Sequence, residues 1–197
     1  MEVDEVFDII RGDSMFFQAS GGGITVSGGE PLLQPEYVSA LLEKCKQEDI
    51  HTCLETSGYA ASSALKAVLQ YTDLVLFDLK HMDLEKHRCY TGKPNDLIKR
   101  NAKIVVDSSA GILFRMPLIP GINDDDENIR ETAQFLHQLG DKACSIQLMP
   151  YHELGKGKYK SLDKKYRLTG IRAPGQSQTD LAKNKFVSYN IRCTVSY

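Results

Sequence analysis

The sequence predicts an α/β fold built on a parallel sheet, and three observations carry that expectation. Short apolar or β-branched runs recur near residues 24, 51, 73, 112 and 144, each followed by a turn and an amphipathic stretch. That is the β-turn-α order of right-handed crossovers. Every run ends in polar groups: Ser27 to Glu30, Glu55 with Thr56, Asp78 with Lys80, Arg115, and Gln147 with His152. The length of 197 residues suits one domain, spanning residues 1–197. An open sheet would spread those strand ends along an edge, whereas a (β/α) barrel gathers them at one mouth. A partial (β/α) barrel is therefore the expected architecture.

The elements follow in order. Residues 3–10 form an amphipathic helix with Val3, Val6, Phe7 and Ile10 on one face. No strand precedes it, which reads as a chain that begins part-way through a fold. Residues 24–27 form a strand that runs into Ser27-Gly28-Gly29-Glu30-Pro31. Two glycines there let the backbone turn sharply and approach a ligand closely, or simply make a tight βα turn. A helix over 35–47 opens on Pro35 and places Val38, Leu41, Leu42 and Cys45 on one face. Residues 51–54 form a strand and 62–70 a helix. Residues 73–77 are almost continuously apolar, as in a sheet covered on both faces. Asp83 caps a short helix reaching residue 90, and 95–107 form another.

A strand over 112–117 leads to the turn Pro120-Gly121-Ile122-Asn123-Asp124. The acids at 124–127 open a helix to residue 139, where negative charge favours the helix dipole. Residues 144–148 form a strand. Residues 154–175, rich in Gly, Lys, Ser and Pro, form a long loop with Lys156, Lys158 and Lys160 in solvent. A helix over 176–189 and a strand over 192–195 close the chain.

Composition excludes several classes. With 24 basic and 26 acidic residues the net charge is -2, which gives no footprint for nucleic acid or an anionic membrane. No apolar run is long enough to span a bilayer. The start Met-Glu-Val-Asp-Glu lacks the basic residues and apolar core of a signal peptide, so the sequence reads as cytoplasmic. The 5 cysteines are odd in number and scattered, which argues against a disulfide framework. No two lie close enough for Cys-x-x-Cys metal spacing. Cys45, Cys53, Cys144 and Cys193 sit in apolar settings and are expected to be buried; Cys89 has no such setting.

Neither a Walker A loop nor a Gly-x-Gly-x-x-Gly fingerprint is present. Glu55 and Asp78 suit either acid–base work, a cation, or ordinary ion pairs, with Lys80 as a partner. Lys80 at a strand end also suits the Schiff-base lysine of an aldolase-type barrel. His152 suits a ligand contact, a general base or a structural role.

Together these stretches resemble one family. Ser27-Gly28-Gly29-Glu30-Pro31 resembles the Gly-Gly-Glu motif of radical S-adenosylmethionine (SAM) enzymes. Thr52 to Gly58, Phe77-Asp78-Leu79-Lys80 and Pro120 to Asp124 resemble its glycyl-radical-enzyme activating branch. Leu148-Met149-Pro150-Tyr151-His152-Glu153-Leu154-Gly155-Lys156 is most similar to activating enzymes of pyruvate formate-lyase.

The resemblance implies a partial barrel of the radical SAM type. Gly28, Gly29 and Glu30 would receive the SAM amino group. Asp78 and Lys80 would lie by the methionine moiety, with Arg115 reaching the same region. His152 would contact the ribose and adenosyl portion. Glu55, Thr56, the Leu76 carbonyl and Asp78 match the positions where this branch holds a monovalent cation.

In the family a reduced [4Fe-4S] cluster cleaves SAM to methionine and a 5′-deoxyadenosyl radical. That radical takes a hydrogen from a backbone glycine of the partner, a glycyl radical enzyme, here of the pyruvate formate-lyase type. Electrons would come from a donor such as flavodoxin or ferredoxin. The chain departs from the pattern at the cluster motif, Cys-x-x-x-Cys-x-x-Cys, and at the strand before it, neither of which it contains. It therefore reads as the C-terminal part of such an enzyme, with no catalytic residue of its own and inactive by itself. Two alternatives stand beside this reading: an aldolase-like Schiff-base enzyme using Lys80, and a cluster-free scaffold that binds a partner.

Overall fold

The computed structural model describes residues 1–153, 157, 163, 168 and 170–196. Six strands form one sheet: β1 (Gly23–Val26), β2 (His51–Thr56), β3 (Leu74–Asp78), β4 (Gly111–Leu118), β5 (Ser145–Pro150) and β6 (Arg192–Val195). All pairs are parallel, and the spatial order β1-β2-β3-β4-β5-β6 is the chain order. Each crossover thus advances one strand in the same direction, as in the partial barrel that the strand ends led us to expect. Among the described residues β1 is an edge strand, paired only to β2.

Helices α1 (Val3–Gly12) and α2 (Ser14–Ser20) precede the sheet. α3 (Pro35–Gln47), α4 (Ser62–Leu69), α5 (Leu84–Thr91), α6 (Asp96–Asp107), α7 (Asp126–Leu139) and α8 (Gln176–Ser188) fill the connections. Local chemistry fixes their ends. Asp83 accepts from the Lys86 N–H at 2.6 Å and caps α5; Asp125 does the same for Asn128 at 2.8 Å and caps α7.

Helix α2 lies outside the expected set. The first helix stops at Asp13, and Gly21, at φ 66°, closes the second. The first five strands of the sequence reading are shifted or extended by one or two residues, while the last, over 192–195, has the expected bounds; the Asp78 backbone belongs to β3 rather than to the loop after it. Most of the loop expected over 154–175, with Lys156, Lys158 and Lys160, lies outside the described residues.

Alternation along the strands separates two faces. Leu54, Val75, Phe77, Phe114, Met116, Ile146 and Leu148 are fully buried against residues of the helices, including Leu42, Leu65 and Ile129. The Phe77 and Phe114 rings meet edge to face with centroids 5.7 Å apart. The opposite face carries Glu55, Leu76, Asp78, Leu113, Arg115 and Gln147, all only part-buried. This corrects the expectation that residues 73–77 are covered by helices on both faces. The strand reads as continuously apolar because Leu74 and Leu76 line the inner, concave side while Val75 and Phe77 meet the helices.

Cys45, Cys53 and Cys193 are buried as expected, and burial pushes the Cys193 thiol up to about 12. Cys144 is a correction: it precedes β5, is only part-buried, and its Sγ lies 3.5 Å from His137 Nδ1. Cys89 is exposed on α5. Among the described residues no helix is long and apolar enough to cross a membrane.

Candidate functional site

Parallel register brings the polar strand ends to one side of the sheet, and they form three groups. The first is centred on Glu30. Gly28, at φ 125°, adopts a backbone conformation that side-chain-bearing residues rarely reach, and it turns the chain out of β1. Glu30 then folds back toward the end of β2. Its carboxylate accepts from Thr56 Oγ1 at 2.6 Å, Ser57 Oγ at 2.5 Å, Ser57 N at 3.0 Å and Leu32 N at 3.3 Å. The Glu30 side chain is therefore committed to holding the glycine turn against β2. What the turn leaves open is Gly28 and Gly29, both exposed.

The second group is centred on Arg115. Its Nη1 lies 3.0 Å from Glu55 Oε1, and its Nε and Nη2 approach Met149 Sδ at 3.0 and 2.6 Å. A guanidinium held between a carboxylate on β2, two strands away, and a thioether on neighbouring β5 is fixed in orientation. The third group is Asp78 with Lys80. Asp78 stands directly opposite Arg115 in the β3–β4 register. Its Oδ2 is 3.4 Å from Lys80 Nζ, while its Oδ1 is buried with no hydrogen-bond partner. Burial pushes the Asp78 carboxyl above the usual carboxylate range; Lys80 and Arg115 oppose that shift and Glu55 adds to it. An orphaned carboxylate oxygen beside a loosely engaged ammonium suits a zwitterionic ligand, and the amino acid end of SAM is one.

Glu55 and Asp78 share the concave face, with Arg115 beside both. The Thr56 side chain points to the helix-covered face and donates to Glu30. His152 lies beyond the end of β5 and is exposed. It lines neither of the two cavities that flank Lys80. Among the described residues no group of three or more His, Cys, Asp or Glu side chains is arranged to hold a metal ion.

Several supporting residues carry no role in the sequence reading. Ser57 supplies two of the four donors to Glu30. Asn123, 1% exposed, donates to the Lys80 carbonyl at 3.0 Å and the Pro117 carbonyl at 2.6 Å. Its Oδ1 accepts from Ile119 N at 2.8 Å. It thereby ties the chain at Lys80 to the turn after β4. Asn128 extends the tie, donating to the Asn123 carbonyl at 2.9 Å and accepting from Met82 N at 2.8 Å. The Pro120 to Asp124 motif contained the signal: an Asn inside a tight turn between a strand and a helix serves backbone groups.

Known proteins are similar to this chain in sequence and fold. Residues 1–136 match the family model of the Radical SAM superfamily. The chain is 41% identical over 199 residues to the (2S)-3-sulfopropanediol dehydratase activating enzyme of Klebsiella oxytoca, covering 99% of this chain and 63% of that one. It therefore spans less than two thirds of that relative's length. It is 36% identical over 200 residues to the pyruvate formate-lyase-activating enzyme of Staphylococcus epidermidis, covering 98% of this chain and 79% of that protein. A solved domain of pyruvate-formate lyase-activating enzyme from Bacteroides vulgatus superposes with a TM-score of 0.75 at 31% identity, covering 89% of this chain and 99% of that domain. Radical SAM enzymes use SAM and a [4Fe-4S] cluster. The chain belongs to the radical SAM superfamily, and the relatives it matches are activating enzymes of glycyl radical enzymes.

Proposed function

We propose that this chain is the SAM-binding part of an activating enzyme whose partner is a glycyl radical enzyme. The observation that carries the reading is the orphaned, buried Oδ1 of Asp78 beside Lys80 and Arg115, at the end of the sheet where the Gly28-Gly29 turn also lies. In this reading the exposed carbonyls of Gly28 and Gly29 receive the SAM ammonium, together with Asp78. Glu30 holds the turn in place from behind. Lys80 donates to the methionine carboxylate, Arg115 supports the same region, and His152 meets the nucleoside end. Glu55, Asp78 and the Leu76 carbonyl supply oxygens for a monovalent cation beside that carboxylate, with Thr56 contributing through its backbone carbonyl because its hydroxyl is held by Glu30. Bound SAM supplies, in this family, the radical that removes a hydrogen from a glycine of the partner.

The cluster is a separate matter. Cys45 and Cys53 are buried on α3 and β2, Cys193 is buried on β6, Cys89 is exposed on α5, and Cys144 precedes β5. No three thiolates converge, so these residues do not fit a [4Fe-4S] cluster. The partner is proposed at the level of its class, with pyruvate formate-lyase as the finer assignment. The Leu148 to Lys156 stretch and the Staphylococcus epidermidis relative support that finer assignment. The relative at 41% identity carries a differently named target, which is why the class is tested first. A flavodoxin or ferredoxin donor and a cytoplasmic setting belong to the same proposal.

The test is calorimetric titration of SAM into the chain. Asp78→Ala should weaken binding roughly tenfold or more, the value of one charge-assisted contact. Saturable SAM binding lost in this variant supports the reading, and a chain that does not bind SAM sinks it. The Schiff-base alternative makes the opposite demand: a carbonyl substrate trapped on Lys80 by borohydride would replace SAM chemistry altogether.

A further inference from the structure

The buried face of α6 carries Ile98, Ala102 and Val105, and among them the polar Asn101, which is 0% exposed. A polar side chain in an apolar stripe must find its partners inside the protein. The Asn101 amide is fully used. Its Nδ2 donates to the Gly58 and Ala60 carbonyls at 2.8 Å each, and its Oδ1 accepts from Ser62 Oγ at 2.7 Å. Two carbonyls can only accept, so the orientation of the amide is fixed. One side chain of α6 thus grips the loop between β2 and α4 at three residues.

That loop is the one that holds the glycine turn. Ser57 N and Oγ donate to Glu30 Oε2, and Thr56 Oγ1 donates to Glu30 Oε1. Gly58 N donates to Thr56 Oγ1 at 2.9 Å, which leaves the proton of that hydroxyl for Glu30. Gly58 is therefore bonded through its N–H to the cradle around Glu30 and through its carbonyl to Asn101. Its φ of 70° lies in the left-handed region, and a glycine there brings wide backbone freedom that something must restrain. Bonds inside the loop, such as Ala60 N to Gly58 O at 3.1 Å, move with it. The Asn101 bonds tie it to a separate helix.

We propose that Asn101 is a positioning residue for SAM binding. It sets the loop that presents Thr56 and Ser57 to Glu30, and through Glu30 it sets the Gly28-Gly29 carbonyls that receive the SAM ammonium. Asn101 touches none of the groups assigned to SAM, so its effect is indirect. The role rests on the SAM reading above. A purely structural amide would lower Tm and leave the affinity of the folded chain unchanged, which separates the two roles by measurement.

SAM is titrated calorimetrically into the unaltered chain, Asn101→Leu, Ser57→Ala and the double variant, at a temperature where each is folded. Asn101→Leu keeps a similar volume and removes both donors. Each single variant should weaken SAM binding roughly fivefold. Both act through Glu30, so the double variant should be about as weak as the weaker single one rather than roughly twenty-five-fold down. Without SAM, hydrogen exchange at the Ser57 amide should quicken roughly tenfold in Asn101→Leu, relative to the Thr52 amide at the other end of β2. Asp73→Ala, which destabilises that other end, should keep full SAM affinity. If Asn101→Leu does not fold, Ser62→Ala, which frees only Oδ1, takes its place with a roughly twofold loss. An unaltered chain that does not bind SAM sinks the SAM reading and this role with it. In a chain that binds SAM, the Asn101 role alone is overturned by full affinity in Asn101→Leu or by losses that multiply in the double variant. Unchanged relative exchange at Ser57, or an equal loss of affinity in Asp73→Ala, overturns it as well.

Discussion

Asp73 and Asp78 stand at the two ends of β3, and their carboxylates are in opposite condition. Asp73, at the floor of the sheet, accepts from Lys46 at 2.5 Å and from the backbone and hydroxyl of Thr52 at 2.9 and 3.1 Å. Burial pushes its carboxyl up, but those donors together outweigh it and hold the group below the usual carboxylate range. Asp78, at the mouth, keeps one oxygen without a partner and is pushed above that range by burial. The same residue type on the same strand is thus saturated at one end and left short at the other. The floor is built for stability. The mouth carries a desolvated carboxylate left short of donors, as expected where a fold gives up stability for a site.

The contrast would break if the mouth were merely loosely built, and the largest expected effect tests this. Gly58, just past β2, has φ 70°, and a Cβ there would collide with the Phe77 ring. Phe77 is fully buried. Gly58→Ala combines a strained backbone with overpacking and should cost about 3 kcal/mol, lowering Tm by roughly 6–12 °C. An unchanged Tm would mean that the mouth is slack rather than under-satisfied.

The next effect comes from the floor. Asp73→Ala leaves the buried Thr52 N–H without its side-chain acceptor, while the Thr52 hydroxyl keeps the Tyr71 carbonyl at 2.7 Å. It also removes an ion pair that is partly exposed on the Lys46 side and is worth little by itself. The expected loss is about 2 kcal/mol, or roughly 4–8 °C in Tm, with SAM binding unchanged. Asp78→Ala should reverse both readouts: little loss of Tm, and SAM affinity down roughly tenfold. Equal Tm losses for the two variants would erase the distinction between floor and mouth.

How much of this contrast was legible in the sequence differs by residue. The strand order and the convergence of Glu30, Glu55, Asp78 and Arg115 followed from where apolar runs end in polar groups, because parallel register puts every strand's C-terminal end on the same side. The condition of each carboxylate was not legible. Glu30 looks like a free ligand in the sequence, yet four donors hold it, two of them from Ser57 across the strand gap. Glu55 looks like a partner for Asp78, yet it pairs with Arg115. Asp78 looks neutralised by Lys80, yet the contact is long and serves one oxygen. Pairing between strands depends on side-chain reach across the sheet, which spacing along the chain does not encode. Asn123 was missed for the same reason: its partners are backbone groups.

The smallest effect is a pH dependence, and its sign separates the two aspartates. Asp78 has its folded-state value raised above the unfolded one by burial, so the folded chain binds its proton more tightly than the unfolded chain does. Between the two values stability therefore falls as pH rises, and the penalty is fully present above the raised folded value. Asp73 is depressed, so its contribution is present above the ordinary carboxylate value and is lost as pH falls through the depressed one. Whole-chain acid unfolding mixes these opposite slopes, and variants unmix them. Asp78→Asn removes the ionisable group and keeps its size, so at neutral pH it should unfold at a slightly higher urea concentration than the unaltered chain. The advantage should shrink as pH falls toward the ordinary carboxylate range, because the wild-type Asp78 then takes up its proton. Asp73→Asn should lie below the unaltered chain at neutral pH and converge with it only in stronger acid. An Asp78→Asn variant that is less stable at neutral pH would show that Lys80 and Arg115 need that charge more than burial disfavours it, and the mouth would then be as well satisfied as the floor.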